Sequence, residues 1–406
     1  MKGKVRKSID LSIKDGICWA NMVGLVEPYI VPFALNLGAS NLFIGVVRSI
    51  PSLISSFSQF FSEWLVWYYR SCQKIVYWSV FIQAFCIFIS SFTILIDLWW
   101  SKYLFLFLVI GYSFSGSVAT APWFTLMGEY LPQNSRGKFF GKRTQIIGIF
   151  YFFSSFVAGY LLKVYNSNTK NILFILFLLA SFFRFCSSYY INLMYEPDKK
   201  YFIPKEKPSF LSYFYNFKIN PFVRKIYVAI FILLLSTYIA APYFSVYILK
   251  ELEFDYIKYM FLTSFGQVLT WFTARFWGKL VDKKGSVRTL KYAFISIPLI
   301  SFMWIFTKNF YILLAIEIFS GFVWGAFAIV YNTFVYEYVK ADERTKYTAY
   351  LIFIMSVAQF LGSFIGGILY DKIHFKNIST FILILAISTS GRFYALTYFL
   401  KNSHKE

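Results

Sequence analysis

Two carboxylates, Glu27 and Glu317, stand inside otherwise apolar stretches of this 406-residue chain. A bare carboxylate at the depth of a hydrocarbon layer is expensive, so such a group is paired, protonated or in contact with water. Acids in that setting suit proton coupling, or contact with a cationic or polyhydroxylated solute. Arg48 opens a polar stripe that continues through Ser52, Ser55, Ser56, Gln59 and Glu63 at helical spacing. That stripe must meet protein or water rather than lipid: it is a cavity wall, a gate, or helix–helix hydrogen bonding through small residues. Glu317 is followed on its face by Ser320, Gly321, Trp324, Ala328, Tyr331 and Asn332. Ser113, Ser117 and Thr120 form a smaller stripe in the matching earlier segment. Glu27, Arg48, Gln59, Ser113, Ser117, Glu317, Trp324 and Asn332 are therefore the substrate or coupling candidates.

The elements that position them are membrane helices. The composition is 58% hydrophobic with only 15% charged residues. The apolar residues fall in blocks near the ~20 residues that a helix needs to cross ~30 Å of hydrocarbon. A membrane barrel would alternate polar and apolar residues, and these runs are apolar on all sides. Twelve spans are expected, near 13–37, 42–68, 75–96, 103–126, 144–164, 171–193, 222–249, 256–281, 290–306, 310–336, 348–370 and 379–400. The first is taken to begin only after Asp15, with no cleavable leader before it. A stretch at 196–221, rich in Pro and Lys, reads as a linker between a bundle at 1–195 and a second at 222–406.

The net charge of +21 follows loop position rather than forming one basic patch with exposed aromatics, which argues against a nucleic-acid partner. With the N-terminus inside, roughly 28 Lys and Arg fall on inner segments and about 8 on outer ones. An even span count then puts both termini in the cytoplasm of a cell (plasma) membrane protein. The four cysteines and two histidines form no CxxC motif or Cys/His cluster, so no metal, cofactor or disulfide framework is expected. No P-loop appears, and an enzyme is the least supported class.

The second half repeats the first. Pro28-Tyr29 matches Pro242-Tyr243, the run from Gly128-Glu129-Tyr130 to Arg136 matches that from Tyr336-Glu337-Tyr338 to Arg344, and Arg184-Phe185 matches Arg392-Phe393. The shared position of Arg184 and Arg392 favours a structural role, each tying a helix to its own half. The run Gly278-Lys279-Leu280-Val281-Asp282-Lys283-Lys284-Gly285-Ser286-Val287-Arg288 resembles the loop signature of the major facilitator superfamily. Its first-half counterpart, 64–74, keeps Arg70 and Lys74 but has Tyr68 in place of the acid. The stretch from Pro132 through Arg136-Gly137 to Gly141, and Leu37-Gly38-Ala39-Ser40, are similar to other segments of that family.

The resemblance implies an all-α membrane protein of twelve transmembrane helices in two pseudo-symmetric six-helix bundles. It implies a secondary transporter that moves a small solute by alternating access, with a proton as a candidate coupling ion and the lipid bilayer as surroundings, functional as a monomer. The first and fourth helices of each half would line a central cavity, and the second and fifth would gate it. Glu129, Arg136, Asp282, Arg288, Glu337 and Arg344 are the gating candidates at the inner face. Gly362 and Gly366, continued by Gly367, allow close helix approach, and the resemblance implies helix two as the partner. A non-transporting sensor or a lipid scramblase of the same fold is the alternative, which uptake or counterflow in reconstituted vesicles separates.

Overall fold

The computed structural model describes residues 2–96, 98–131, 133–196, 220–339, 344–373 and 379–403. The proposed linker after Glu196 lies outside the described residues. Those described are helical, with no strand among them. Helix α1 (Lys2–Val26) runs through a 3-10 turn (Glu27–Tyr29) into Ile30–Asn36. Helix α2 comes in two pieces, Asn41–Ser56 and Ser58–Tyr69. Then follow α3 (Cys72–Thr93), α4 (Ser101–Tyr130), α5 (Gln133–Val164) and α6 (Thr169–Asn192). Helix α7 (Pro221–Ala240) passes through a 3-10 turn (Ala241–Tyr243) and ends in a π turn (Tyr247–Glu251). The rest are α8 (Tyr256–Lys284), α9 (Ser286–Ile305), α10 (Phe310–Tyr338), α11 (Arg344–Lys372) and α12 (Thr380–Asn402).

Nine segments among the described residues are long and apolar enough to cross a membrane. Helix α2 is broken into pieces of 16 and 12 residues, and α2, α8 and α9 occupy three further expected places. Large apolar side chains such as Phe107 and Tyr311 are 70% and 77% exposed, as a surface solvated by lipid tails requires. The first helix begins well before its expected start. Its candidate span is Gly3–Asn36, so Asp15 lies well inside the helix and not near its start. The hydropathy of the run had hidden this, because Lys and Asp in the first turns depress the window without ending the helix.

The chain forms two compact units, one of residues 1–38 and 54–215, the other of 39–53 and 216–406. Most of the first piece of α2 therefore belongs with the second unit. There the Ser52 hydroxyl donates to Gln359 Oε1 at 2.8 Å, and Gln359 Nε2 donates to the Arg48 carbonyl at 3.1 Å. The second piece belongs with the first unit, where the Ser62 hydroxyl donates to the Val118 carbonyl of α4 at 2.9 Å.

Both units repeat one device. The Pro in each 3-10 turn lacks the N–H that would continue the α-helix, so the chain kinks there. The Tyr that follows is fully buried and reaches across to another helix. Tyr29 Oη donates to the Ser155 carbonyl of α5 at 2.8 Å, and Tyr243 Oη donates to the Ser363 carbonyl of α11 at 2.7 Å. Tyr29→Phe and Tyr243→Phe are expected to cost similar amounts, about 0.6–1.7 kcal/mol each, as interhelical bonds in membranes do. Unfolding of the two variants in detergent checks this; a much larger loss for one alone would contradict the equivalence.

The loop between the second and third helices is also repeated, by different residues. Helix α2 ends at Arg70 with φ 53°, and α8 ends at Gly285 with φ 83°. Positive φ stops both helices, but by different conformations: Arg70 is a left-handed cap without the usual glycine, and Gly285, with ψ 160°, takes a conformation open to glycine. A carboxylate then meets the start of each third helix. Glu196 accepts from Ser71 and from the Gln73 N–H in the first unit; Glu337 accepts from the Ser286 N–H at 2.8 Å in the second. Negative charge at a helix N-terminus is favourable.

Two glycines of α11 face a different helix from the one expected. Gly362 packs on Leu235 and Tyr238 of α7, and Gly366 on the Ile239 carbonyl. Only Gly367 also approaches α2, at Leu42. Gly362 and Gly366 serve α7, while α11 also meets α2 as expected, through Gly367 at Leu42, Gly45 at the Ser363 carbonyl and the Ser52–Gln359 bond.

Candidate functional site

The first unit holds a buried charged cluster that the sequence reading did not assemble. Asp15 of α1 is 4% exposed, and Arg184 of α6 is 5% exposed. The Ser187 hydroxyl links them: it donates to Asp15 Oδ1 at 2.6 Å and accepts from Arg184 Nη1 at 2.9 Å. Ser187 lies one turn beyond Arg184, so α6 presents both on one face. Arg184 Nε donates to Gln83 Oε1 of α3 at 2.6 Å, and Gln83 Nε2 donates to the Tyr112 carbonyl of α4 at 3.0 Å. Arg184 thus does tie α6 to its own unit, as its position suggested.

Arg143 of α5 completes the cluster. Its Nη2 lies 3.4 Å from Asp15 Oδ2, and its Nε donates to the Ser12 carbonyl at 3.2 Å. The guanidinium also stacks 4.4 Å from the Trp123 ring centroid. Gly16 makes this approach feasible, since a Cβ there would fall 2.8 Å from Arg143 Nη2. Arg143 directly follows Lys142, yet its side chain is only 14% exposed and belongs to the interior. Around these groups lies a cavity of about 300 Å³, walled by Asp15, Trp19, Thr120, Trp123, Arg143 and Arg184. Trp19 is four residues beyond Asp15, so one face of α1 supplies both.

Of the residues singled out beforehand, Glu27 sits in the 3-10 turn of α1, half-buried, and accepts from Tyr112 Oη at 2.8 Å. Glu317 is half-buried too, but it faces the interior of the second unit. Its Oε1 accepts from Trp304 Nε1 of α9 at 3.0 Å, and its Oε2 is near Gly266 of α8. Buried Arg392 of α12 lies in its electrostatic reach. The face of α10 beyond Glu317 is largely packed: Gly321 meets Gly266, and Thr270 Oγ1 donates to the Gly321 carbonyl at 3.0 Å. Ser113, Ser117 and Trp324 are half-buried on α4 and α10, and Arg48 is exposed on α2. The side chains of Gln59, Asn332, Arg136 and Arg344 lie outside the described residues. Glu129, Asp282, Arg288 and Glu337 are exposed at helix ends, with Glu337 held by the Ser286 N–H.

The sequence signals for the missed cluster were Asp15 four residues before a Trp, and Arg143 beside Lys142 at the start of a long apolar run. Neither stands out without the tertiary contacts.

A profile of the Major Facilitator Superfamily matches residues 16–310 and 226–406. The chain belongs to the Major Facilitator Superfamily. Its members' fold is shared by solved structures that cover almost the whole chain. The nucleoside transporter NupG is similar over 99% of this chain and 100% of its own, with TM-score 0.73 and 12% identity. A bacterial homologue of the iron transporter ferroportin is similar over 98% and 99%, with TM-score 0.73 and 12% identity. A bacterial homologue of the human lysosomal transporter Spinster covers 99% and 98%, with TM-score 0.68 and 12% identity. No curated protein matches the sequence closely enough to be counted. This facilitator-superfamily chain is an all-α, multi-pass membrane protein and a secondary transporter.

Proposed function

We propose that the transporter engages its small solute at the charged cavity of the first unit. The observation that supports this is the placement of Asp15, Arg143 and Arg184 around open space inside a bundle that membrane helices build. Ionisable groups at such depth mark solute or ion pathways. The volume lies at the small end of the range for ligand sites. In this reading Asp15 orients Arg143, Arg184 holds Asp15 through Ser187, and the two indoles shape the walls.

Glu27 with Tyr112, and Glu317 with Trp304 and Arg392, are the candidate coupling groups; a proton is the coupling ion we favour. Arg48, Gln59, Ser113, Ser117, Trp324 and Asn332 remain candidates for the rest of the pathway. Glu129, Arg136, Asp282, Arg288, Glu337 and Arg344 are the proposed inner gate. The bias of Lys and Arg supports cytoplasmic termini and 196–221 as a cytoplasmic linker; the plasma membrane and a monomeric state are part of the same proposal.

Access to the cavity tests the central claim without knowledge of the solute. Thr120 is an exposed wall residue. In a background where Cys18, Cys72, Cys86 and Cys186 are replaced by Ser, Thr120→Cys should react with a water-soluble maleimide. In proteoliposomes, uptake across a panel of labelled sugars, amino acids, nucleosides and organic acids should show a transported compound, and Arg143→Gln should reduce that uptake at least tenfold. A sealed, unreactive Thr120→Cys together with normal uptake by Arg143→Gln overturns the assignment.

A further inference from the structure

The cavity of the first unit offers a biased set of hydrogen-bonding groups. Asp15 is its one carboxylate, and both of its oxygens are engaged, by Ser187 and by Arg143. Two guanidiniums face it, each with five N–H donors and no acceptor. Arg184 uses Nε on Gln83 and Nη1 on Ser187; Arg143 uses Nε on the Ser12 carbonyl and Nη2, at the long distance of 3.4 Å, on Asp15. Among the described residues, Arg143 Nη1 and Arg184 Nη2 meet no acceptor. Two positive groups and one negative leave the lining with a formal charge of +1. The remaining wall is mostly apolar, with Trp19, Val76, Val80, Ala119 and Trp123.

We infer that this cavity binds a monoanionic oxyanion (a carboxylate, phosphate or sulfonate group) on the free edge of Arg143, with the ligand's apolar body against Trp19 and Trp123. Guanidinium groups recognise planar and tetrahedral oxyanions through paired N–H donors, and charge-assisted bonds of this kind are the strong ones. A cation would meet two guanidiniums and a carboxylate that is already engaged. A neutral polyol would find donors without matching acceptors. Trp123 already stacks on Arg143, which holds the guanidinium plane fixed and lowers the cost of ordering it on binding. The inference rests on the reading of this cavity as the solute site and names the class of solute it takes.

Three probes of one shape separate charge from size: benzoate, benzamide and benzylamine. Thermal unfolding of the purified transporter in uncharged detergent should give the affinity order benzoate, then benzamide, then benzylamine. Arg143→Gln should weaken benzoate at least tenfold and leave benzamide within about twofold, whereas Arg143→Lys should keep the order. Competition then identifies the source of the oxyanion. Displacement of benzoate by inorganic phosphate assigns the site to soluble anions, and displacement only in nanodiscs of phosphatidylglycerol, not phosphatidylcholine, assigns it to a lipid headgroup; both support the inference. Equal or tighter binding of benzylamine, measured on the unaltered protein, overturns it, as does benzoate binding that Arg143→Gln leaves unchanged. Labelling at Thr120 reports access and the probe order reports charge, so the site and the solute class can fail separately.

Discussion

Arg184→Met should unfold at markedly lower denaturant than the parent protein, with a loss of about 3 kcal/mol, the lower end of the range for breaking a buried ion pair. The size follows from what is left behind. Met fills much of the same space, so little of the effect is a cavity. Gln83 Oε1 loses its donor, the Ser187 hydroxyl loses the group it accepted from, and Asp15 keeps its bonds to Ser187 and Arg143 but loses the nearby positive charge of Arg184. A buried carboxylate that loses a nearby countercharge is the main expense. Asp15→Asn in the Arg184→Met background should therefore recover part of the loss, because it removes the charge while keeping the shape. A double-mutant cycle measures this coupling, expected at 0.5–3 kcal/mol for groups in one network. If Arg184→Met and the double variant both unfold like the parent, the cluster is not what holds α1, α3 and α6 together.

Gly366→Val should be the most damaging single change in the second unit. A Cβ at Gly366 would stand 2.0 Å from the Ile239 carbonyl oxygen and 2.8 Å from a Tyr243 ring carbon. The first of these is backbone, so no rotamer change relieves it, and α7 and α11 must separate. Overpacking costs typically 1–3 kcal/mol where side chains can adjust, and a backbone contact belongs at or above the top of that range. Separation would also break the Tyr243 bond to the Ser363 carbonyl nearby. Gly278→Ala is the matched control: a Cβ there meets nothing within 4 Å. In a helix, relief of the glycine's conformational freedom makes that change neutral or stabilising by up to ~1 kcal/mol. Unfolding midpoints and yield of monodisperse protein compare the two. Equal behaviour would mean that the close α7–α11 approach is not required.

How much of this was readable beforehand varied with the kind of information needed. Helix number and extent follow from length and apolarity, since the bilayer leaves few alternatives to a helix. The Pro-Tyr pairs were readable as a repeat, and their shared buried bond gives that repeat a physical basis. Glu317 was readable as an acid within an apolar stretch, but its partners were not, since Trp304, Gly266 and Arg392 come from three other helices. Gly362 and Gly366 announced a close contact without saying with which helix. Asp15 and Arg143 escaped for a common reason. Each sits within the first few turns of a long helix, next to lysines, where a one-dimensional hydropathy trace cannot separate an interior charge from a surface one.

The division of α2 bears on how such a protein can be assembled from pieces. A polypeptide cut after Glu196 yields two fragments, and the first carries residues 39–53, whose contacts belong to the second compact unit. The second fragment alone would expose Gln359 and the Gly367 face of α11, with nothing to cover them. Complementation between the fragments should therefore be obligate rather than optional, and a split between residues 53 and 54 should do no better, since it parts residues 1–38 from the rest of the first unit.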